Sequence, residues 1–194
     1  MQILQNKKIK SISKKYLDPR EVIHVKEEEE EKEILKSIIV VIYNILSNII
    51  NENKKKYKNK KVHIKDKDVL LFSPMPPTDY SLFDYLLRIQ KYTQLEDSSL
   101  IIGMIYLDRI CFKKGIILTR ENIHRVLFCS ILAAIKYNED IIFDMKFYAN
   151  IAGVSTEELS QLEKAYLKMM DFNLFVNKKT FNLYKCLLNG EDLE

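Results

Sequence analysis

Leu132-Ala133-Ala134-Ile135-Lys136-Tyr137-Asn138-Glu139-Asp140 places a lone lysine at the end of an apolar helix that opens directly into an acidic turn. The helix behind it is built from Val126, Leu127, Phe128, Ile131, Leu132, Ala133, Ala134 and Ile135. Lysine is rarely fully buried without a partner. Lys136, at the rim of this face, therefore requires one, either within the fold or on another protein. Apolar residues recur at helical spacing on both sides of this stretch, so the chain is expected to be all-α.

The composition supports that expectation. Of 194 residues, 47% are apolar, enough for a proper core, and there are only four glycines and four prolines. Three scattered cysteines, Cys111, Cys129 and Cys186, form no disulfide framework and no Cys-x-x-Cys motif. They read as packed thiols in a reducing compartment, which predicts an intracellular protein, cytoplasmic or nuclear. The polar, lysine-rich N-terminus carries no visible secretory signal. Residues 1–77 hold 17 lysines and arginines against 11 aspartates and glutamates, net +6; residues 78–188 hold 14 against 13, net +1. The basic excess thus lies outside the expected core. It is read as a solvated tail, with nucleic acid or an anionic surface as the alternative.

Five regions follow in order. Residues 1–30 are expected to form a flexible arm, basic and then acidic, and 31–51 an amphipathic helix. In that helix Ile34, Leu35, Ile38, Ile39, Ile42, Ile45, Leu46 and Ile49 share one face. Its apolar stretch is too short to span a bilayer. Residues 52–77 read as a lysine-rich loop and a proline-rich linker. Residues 78–175 carry five helical patterns. These are about Ser81–Tyr92 with Thr78 as N-cap, about Ser98–Lys113 closed by Gly115, and about Arg120–Tyr137 with Thr119 as N-cap. A short fourth helix covers about Asp144–Ala152, and a fifth opens on the capping box Ser155-Thr156-Glu157-Glu158. Residues 176–194 hold a last helix and a tail.

Two charges stand inside apolar patterns. Eight uncharged residues, Leu100 to Leu107, precede Asp108, so this carboxyl is expected to be desolvated and to need a cation or several donors. Arg88, set between Leu87 and Ile89, is the cation expected to meet it, as a structural pair whose breaking costs on the order of 3–5 kcal/mol. A general acid–base pair is the sharper alternative, but no nucleophile stands nearby in sequence. Lys136 and Glu163 make the second pair if helices three and five are neighbours. Their spacing fits both an ordinary interhelical ion pair and a partner-binding site. His124 and Cys129 lack further zinc ligands, and there is no phosphate loop, dinucleotide fingerprint or nucleophile elbow. No catalytic residue, metal ligand or cofactor is therefore assigned, and no enzyme is expected.

Several stretches, taken in order, resemble the cyclin box, specifically the single-box P/U-type (phosphate-response-like) cyclins. They are Tyr85-Leu86-Leu87-Arg88-Ile89-Gln90-Lys91-Tyr92; Ile105-Tyr106-Leu107-Asp108-Arg109; Asn122-Ile123-His124-Arg125 through to Asp140; Tyr148-Ala149-Asn150-Ile151-Ala152-Gly153-Val154-Ser155; Leu159-Ser160-Gln161-Leu162-Glu163; and Asp171-Phe172-Asn173-Leu174. The sequence departs from the family pattern at Asp144 and Ala152. The resemblance implies a single five-helix cyclin box over 78–175, an N-terminal flanking helix and a short C-terminal helix. It implies a regulatory subunit, with a role in the cell cycle or a related process, that binds and activates a cyclin-dependent protein kinase as a heterodimer. By the same resemblance Lys136 and Glu163 hold kinase backbone groups, Tyr137, Phe172 and Leu174 pack apolar surface there, and Asp140 reaches a kinase arginine. Arg88 and Asp108 match the family's core ion pair. The alternatives from other classes are a nucleic-acid-binding protein or a scaffold with a cyclin-like fold.

Overall fold

The computed structural model describes residues 38–57, 66–72 and 80–189, and among these the regular elements are all helices. The arm at 1–30, the Thr78 cap and the proline-rich linker at 73–79 lie outside the described residues. We number the helices α1 (Ile38–Tyr57), α2 (Lys67–Leu70), α3 (Leu82–Thr93), α4 (Asp97–Lys114), α5 (Ile123–Asn138), α6 (Met145–Ala152), α7 (Thr156–Met169) and α8 (Lys178–Asn189).

α4 is the central element. Ser99 through Asp108 are buried without a break, as are Ile110 and Cys111. A helix apolar on nearly every side is a core helix, and α5, α8 and the segment after α7 surround it. The α4–α5 contact is the most extensive in the molecule. Gly103 makes it possible: a Cβ there would meet Ile131 Cγ1 at 3.1 Å and its Cα at 3.3 Å. α4 ends at Gly115, whose φ of 63° is a left-handed C-cap that favours a residue without Cβ.

α1 presents Ile38, Ile39, Ile42, Ile45, Leu46, Ile49 and Ile50 to the core and packs on α3 and α8. It runs to Tyr57, past residue 51, where the loop was expected. Lys54, Lys55 and Lys56 sit in its last turn, where they suit the helix dipole. Asn53 donates to the Leu118 carbonyl at 3.0 Å and ties this end to the α4–α5 connection. The lysine-rich segment also contributes to the core. α2 buries Val69, and Phe72 beside it meets the Tyr166 ring edge-on at 6.3 Å. The apolar run Val69-Leu70-Leu71-Phe72 is too short to show a helical period, so the sequence pattern reads there as part of a loop.

The caps explain most of the remaining boundaries. Ser81, not Thr78, is the N-cap of α3, accepting from the Asp84 amide at 3.1 Å. α5 begins at Ile123, not Arg120, because Asn122 is spent on a turn. Its Oδ1 accepts from the Thr119 amide at 2.9 Å, and its Nδ2 donates to Ile117 O at 2.9 Å. Asp144 caps α6 by accepting from the Phe147 amide at 2.7 Å. Ser155 caps α7 by accepting from the Glu158 amide at 3.0 Å, while the Glu158 carboxylate pairs with Arg125.

Asp108 is buried as expected, at 2% exposure, but its partner is not Arg88. The Tyr184 hydroxyl on α8 donates to Asp108 Oδ2 at 2.5 Å. Burial is the main cause that raises the Tyr184 pKa well above the phenol range, with the neighbouring Asp108 adding to it, so the hydroxyl stays a donor. Arg88 lies on the flank of α3, because Tyr85, Leu86 and Ile89 make the buried face. Its Nη2 donates to the Asn150 carbonyl of α6 at 2.6 Å, and its guanidinium stacks over Tyr80 at 5.6 Å. Desolvation correctly implied a donor for Asp108, and the Tyr184 hydroxyl is one.

Three stability measurements follow. Tyr184→Phe removes that donor and is expected to lower the unfolding free energy by about 1–3 kcal/mol. Arg88→Met, which leaves the Tyr184–Asp108 bond in place, is expected to cost less. Gly103→Val overfills the α4–α5 contact and is expected to cost about 1–3 kcal/mol. Urea unfolding, with unchanged slope, checks all three.

Candidate functional site

Lys136 lies in the last turn of α5, where a cation opposes the negative end of the helix dipole. α7 packs along α5 and brings Glu163 to it, with Nζ to Oε1 at 2.6 Å. The side chains are 33% and 18% exposed, so the pair sits at a rim rather than in the core. Met145 Sδ, at the start of α6, lies 3.6 Å from the same ammonium. The lone charge of the apolar helix therefore does have a partner within the fold.

That partner does not saturate either group. An ammonium carries three donors, and a carboxylate has about four acceptor sites. The pair can still give a hydrogen bond to a carbonyl and take one from an N–H. At a half-desolvated rim such bonds are stronger than in open water.

The acidic turn divides its work. Glu139 Oε1 accepts from the Glu96 amide at 3.3 Å, at the N-terminus of α4, so this carboxylate serves the fold. Asp140 is exposed on the turn. Ile141, Ile142 and Phe143 follow it and are also exposed. The Phe143 amide donates to Tyr148 OH at 3.3 Å, and its ring packs on Phe147 at 4.3 Å, which anchors the far end of the turn.

Tyr137 is exposed beside Lys136. The segment after α7 reaches the same neighbourhood through Tyr106 of α4, which donates to Leu174 O at 2.5 Å. Asn138 and Tyr137 of α5 also act on this hydroxyl. Burial pushes its pKa up to about 12, partly offset by the Arg109 charge, so it remains a donor at neutral pH. Leu174 is half-buried against the core, while Phe172 is 67% exposed. The structure thus gathers Lys136 and Tyr137 at the end of α5, Glu163 in the middle of α7 and Leu174 in the segment after α7, with Phe172 two residues from Leu174 along the chain.

Tyr106 and Arg109 stand in one of the stretches that resemble the cyclin box, but the sequence assigned them no role. Arg109 Nη1 donates to Asn173 O at 3.3 Å and to Phe175 O at 3.0 Å. The available signal was their i, i+3 spacing, which puts both on one face of an otherwise apolar helix. Phe175, at 68% exposure, was also missed.

A family model described as Cyclin matches residues 34–174. Cyclin-U4-2 of Arabidopsis thaliana is 29% identical over 177 residues, covering 91% of this chain and 80% of that protein. Cyclin-U2-1 of Arabidopsis thaliana is 36% identical over 114 residues, covering 58% of this chain and 51% of that protein. Cyclin-P3-1 of Oryza sativa subsp. japonica is 33% identical over 130 residues, covering 67% and 55%. The chain therefore spans about half the length of several of the curated relatives it matches. The family match begins at residue 34, not 78, so α1 and the lysine-rich segment fall inside it. It takes in every helix that builds the Lys136–Glu163 rim and ends at Leu174, and the chain belongs to the cyclin family, whose members are regulatory subunits rather than enzymes.

Proposed function

We propose that the Lys136–Glu163 face binds a cyclin-dependent protein serine/threonine kinase and activates it by positioning its regulatory helix. The observation that carries this proposal is a partly exposed, incompletely saturated ion pair beside exposed apolar side chains, in a chain of the cyclin family. Lys136 donates to a kinase backbone carbonyl, and Glu163 accepts from a backbone N–H. Tyr137, Phe172 and Leu174 supply apolar contact, and Asp140 meets a kinase arginine.

The activation is a population shift. A kinase works only when its regulatory-helix glutamate pairs with its catalytic lysine. A ligand moves that equilibrium only by binding the active state better. Driving an equilibrium from 1:99 to 99:1 requires about 5.5 kcal/mol of differential binding. A partly exposed ion pair contributes about 0–1 kcal/mol, so the charges set orientation rather than supply the energy. At about 25 cal/mol per Å², burying roughly 220 Å² of apolar surface only in the active complex matches the requirement. Two aromatic side chains are enough for that area. The apolar residues therefore drive the shift, and the ion pair selects the register.

Exchanging the two charges separates a fold role from a binding role. The double variant Lys136→Glu, Glu163→Lys restores the internal pair, so its melting temperature is expected to stay near that of the wild type. Its affinity for a cyclin-free cyclin-dependent kinase is expected to fall about tenfold or more, because both charges now repel the backbone groups they met. Calorimetric titration and a phosphotransfer assay check this. Full binding by the exchanged variant would reduce the pair to a structural contact. A wild-type chain that neither binds nor activates any of a panel of such kinases would refute the proposal.

A further inference from the structure

The segment leaving α7 has an unusual backbone. Asp171 and Phe172 are consecutive non-glycine residues in the left-handed region, at φ 52° and 53°. That conformation is costly for a residue with a Cβ and persists only where the surroundings over-determine it. Here they do. The Asp171 amide donates to Lys168 O at 2.9 Å, and the Phe172 amide to Leu167 O at 3.0 Å. Lys113 of α4 pairs with the Asp171 carboxylate. The next three carbonyls, of residues 173, 174 and 175, are all held by α4 side chains: Arg109 takes Asn173 O and Phe175 O, and Tyr106 takes Leu174 O.

The consequence is an inverted segment. Its polar main chain is turned toward α4, while Phe172 and Phe175 stand in solvent at 67% and 68% exposure. Left to the hydrophobic effect, two phenylalanines would turn inward. Tyr106 and Arg109 lie three residues apart on one face of α4, and the Arg109 guanidinium stacks on the Tyr106 ring at 5.9 Å. This makes them one unit.

We infer that Tyr106 and Arg109 are positioning residues for the partner surface. They act through the main chain of residues 173–175, holding Phe172 in its left-handed conformation and Phe175 outward, so that both rings dock on the kinase. Phe175 is thereby a contact of the same face. The inference rests on the kinase-binding role of that face.

The test uses the full chain labelled with 4-fluorophenylalanine. Phe172→Leu and Phe175→Leu identify the two resonances. In Arg109→Ala, and separately in Tyr106→Phe, both are expected to narrow and move toward the random-coil value, while the buried Phe72 and Phe128 signals stay in place. Affinity for the cyclin-free kinase is expected to fall about tenfold in each. Phe172→Ala, which weakens binding about tenfold on the wild-type background, is expected to add little on the Arg109→Ala background. A merely structural role for Arg109 would not produce that coupling. Unmoved fluorine resonances, or losses that multiply independently, would overturn the inference. Failure of the wild-type chain to bind any kinase would instead overturn the role of the face, while the fluorine spectra would still decide the positioning.

Discussion

The burial of α4 constrains everything around it. Ser99 to Asp108 are all buried, so Tyr106, Asp108 and their neighbour Arg109 depend for partners on the elements that pack there. Tyr106 and Arg109 are satisfied by carbonyls of the segment after α7, and Asp108 accepts from Tyr184 of α8. Three polar side chains within four residues thus specify where the chain goes after its fifth box helix. This stretch of α4 is an anchor for residues 173–184.

The same constraint places the candidate site. α5 packs on α4 across Gly103 and ends at Lys136, and α7 packs on α5 and carries Glu163. The rim pair is therefore set by two helix contacts, while the exposed Phe172 and Phe175 lie in the segment that Tyr106 and Arg109 hold. Rigid presentation matters for a regulator that works by selecting a conformation, since a surface that adapts to both kinase states shifts neither.

Much of this was legible in the sequence, for physical reasons. Helical periodicity and caps at Gly115, Gly153 and Ser155 marked the helices, because these residue types satisfy orphan end groups by local rules. Lys136 and Glu163 could be paired because Lys136 ends an apolar run and Glu163 sits beside Leu162 at the edge of the inner stripe of helix five. The partner of Asp108 could not, because burial demands a donor without saying which, and Tyr184 is far along the chain. Val69 and Phe72 were missed because the apolar run 69–72 is too short to show a period and lies between a charged segment and prolines. The left-handed turn at Asp171 and Phe172 was invisible for the same kind of reason. It contains no glycine to announce it, and its stability comes from tertiary hydrogen bonds.

The central claim is that the end of α5, the middle of α7 and the segment after α7 form the kinase-binding surface. Hydrogen exchange of the full chain, free and with a cyclin-free cyclin-dependent kinase, tests it most directly. The account predicts slowed exchange concentrated in 136–143 and 171–176, with α1 and the exposed flank of α3 unchanged. Protection centred on α1 or α3, with 136–143 and 171–176 exchanging as in the free chain, would contradict it.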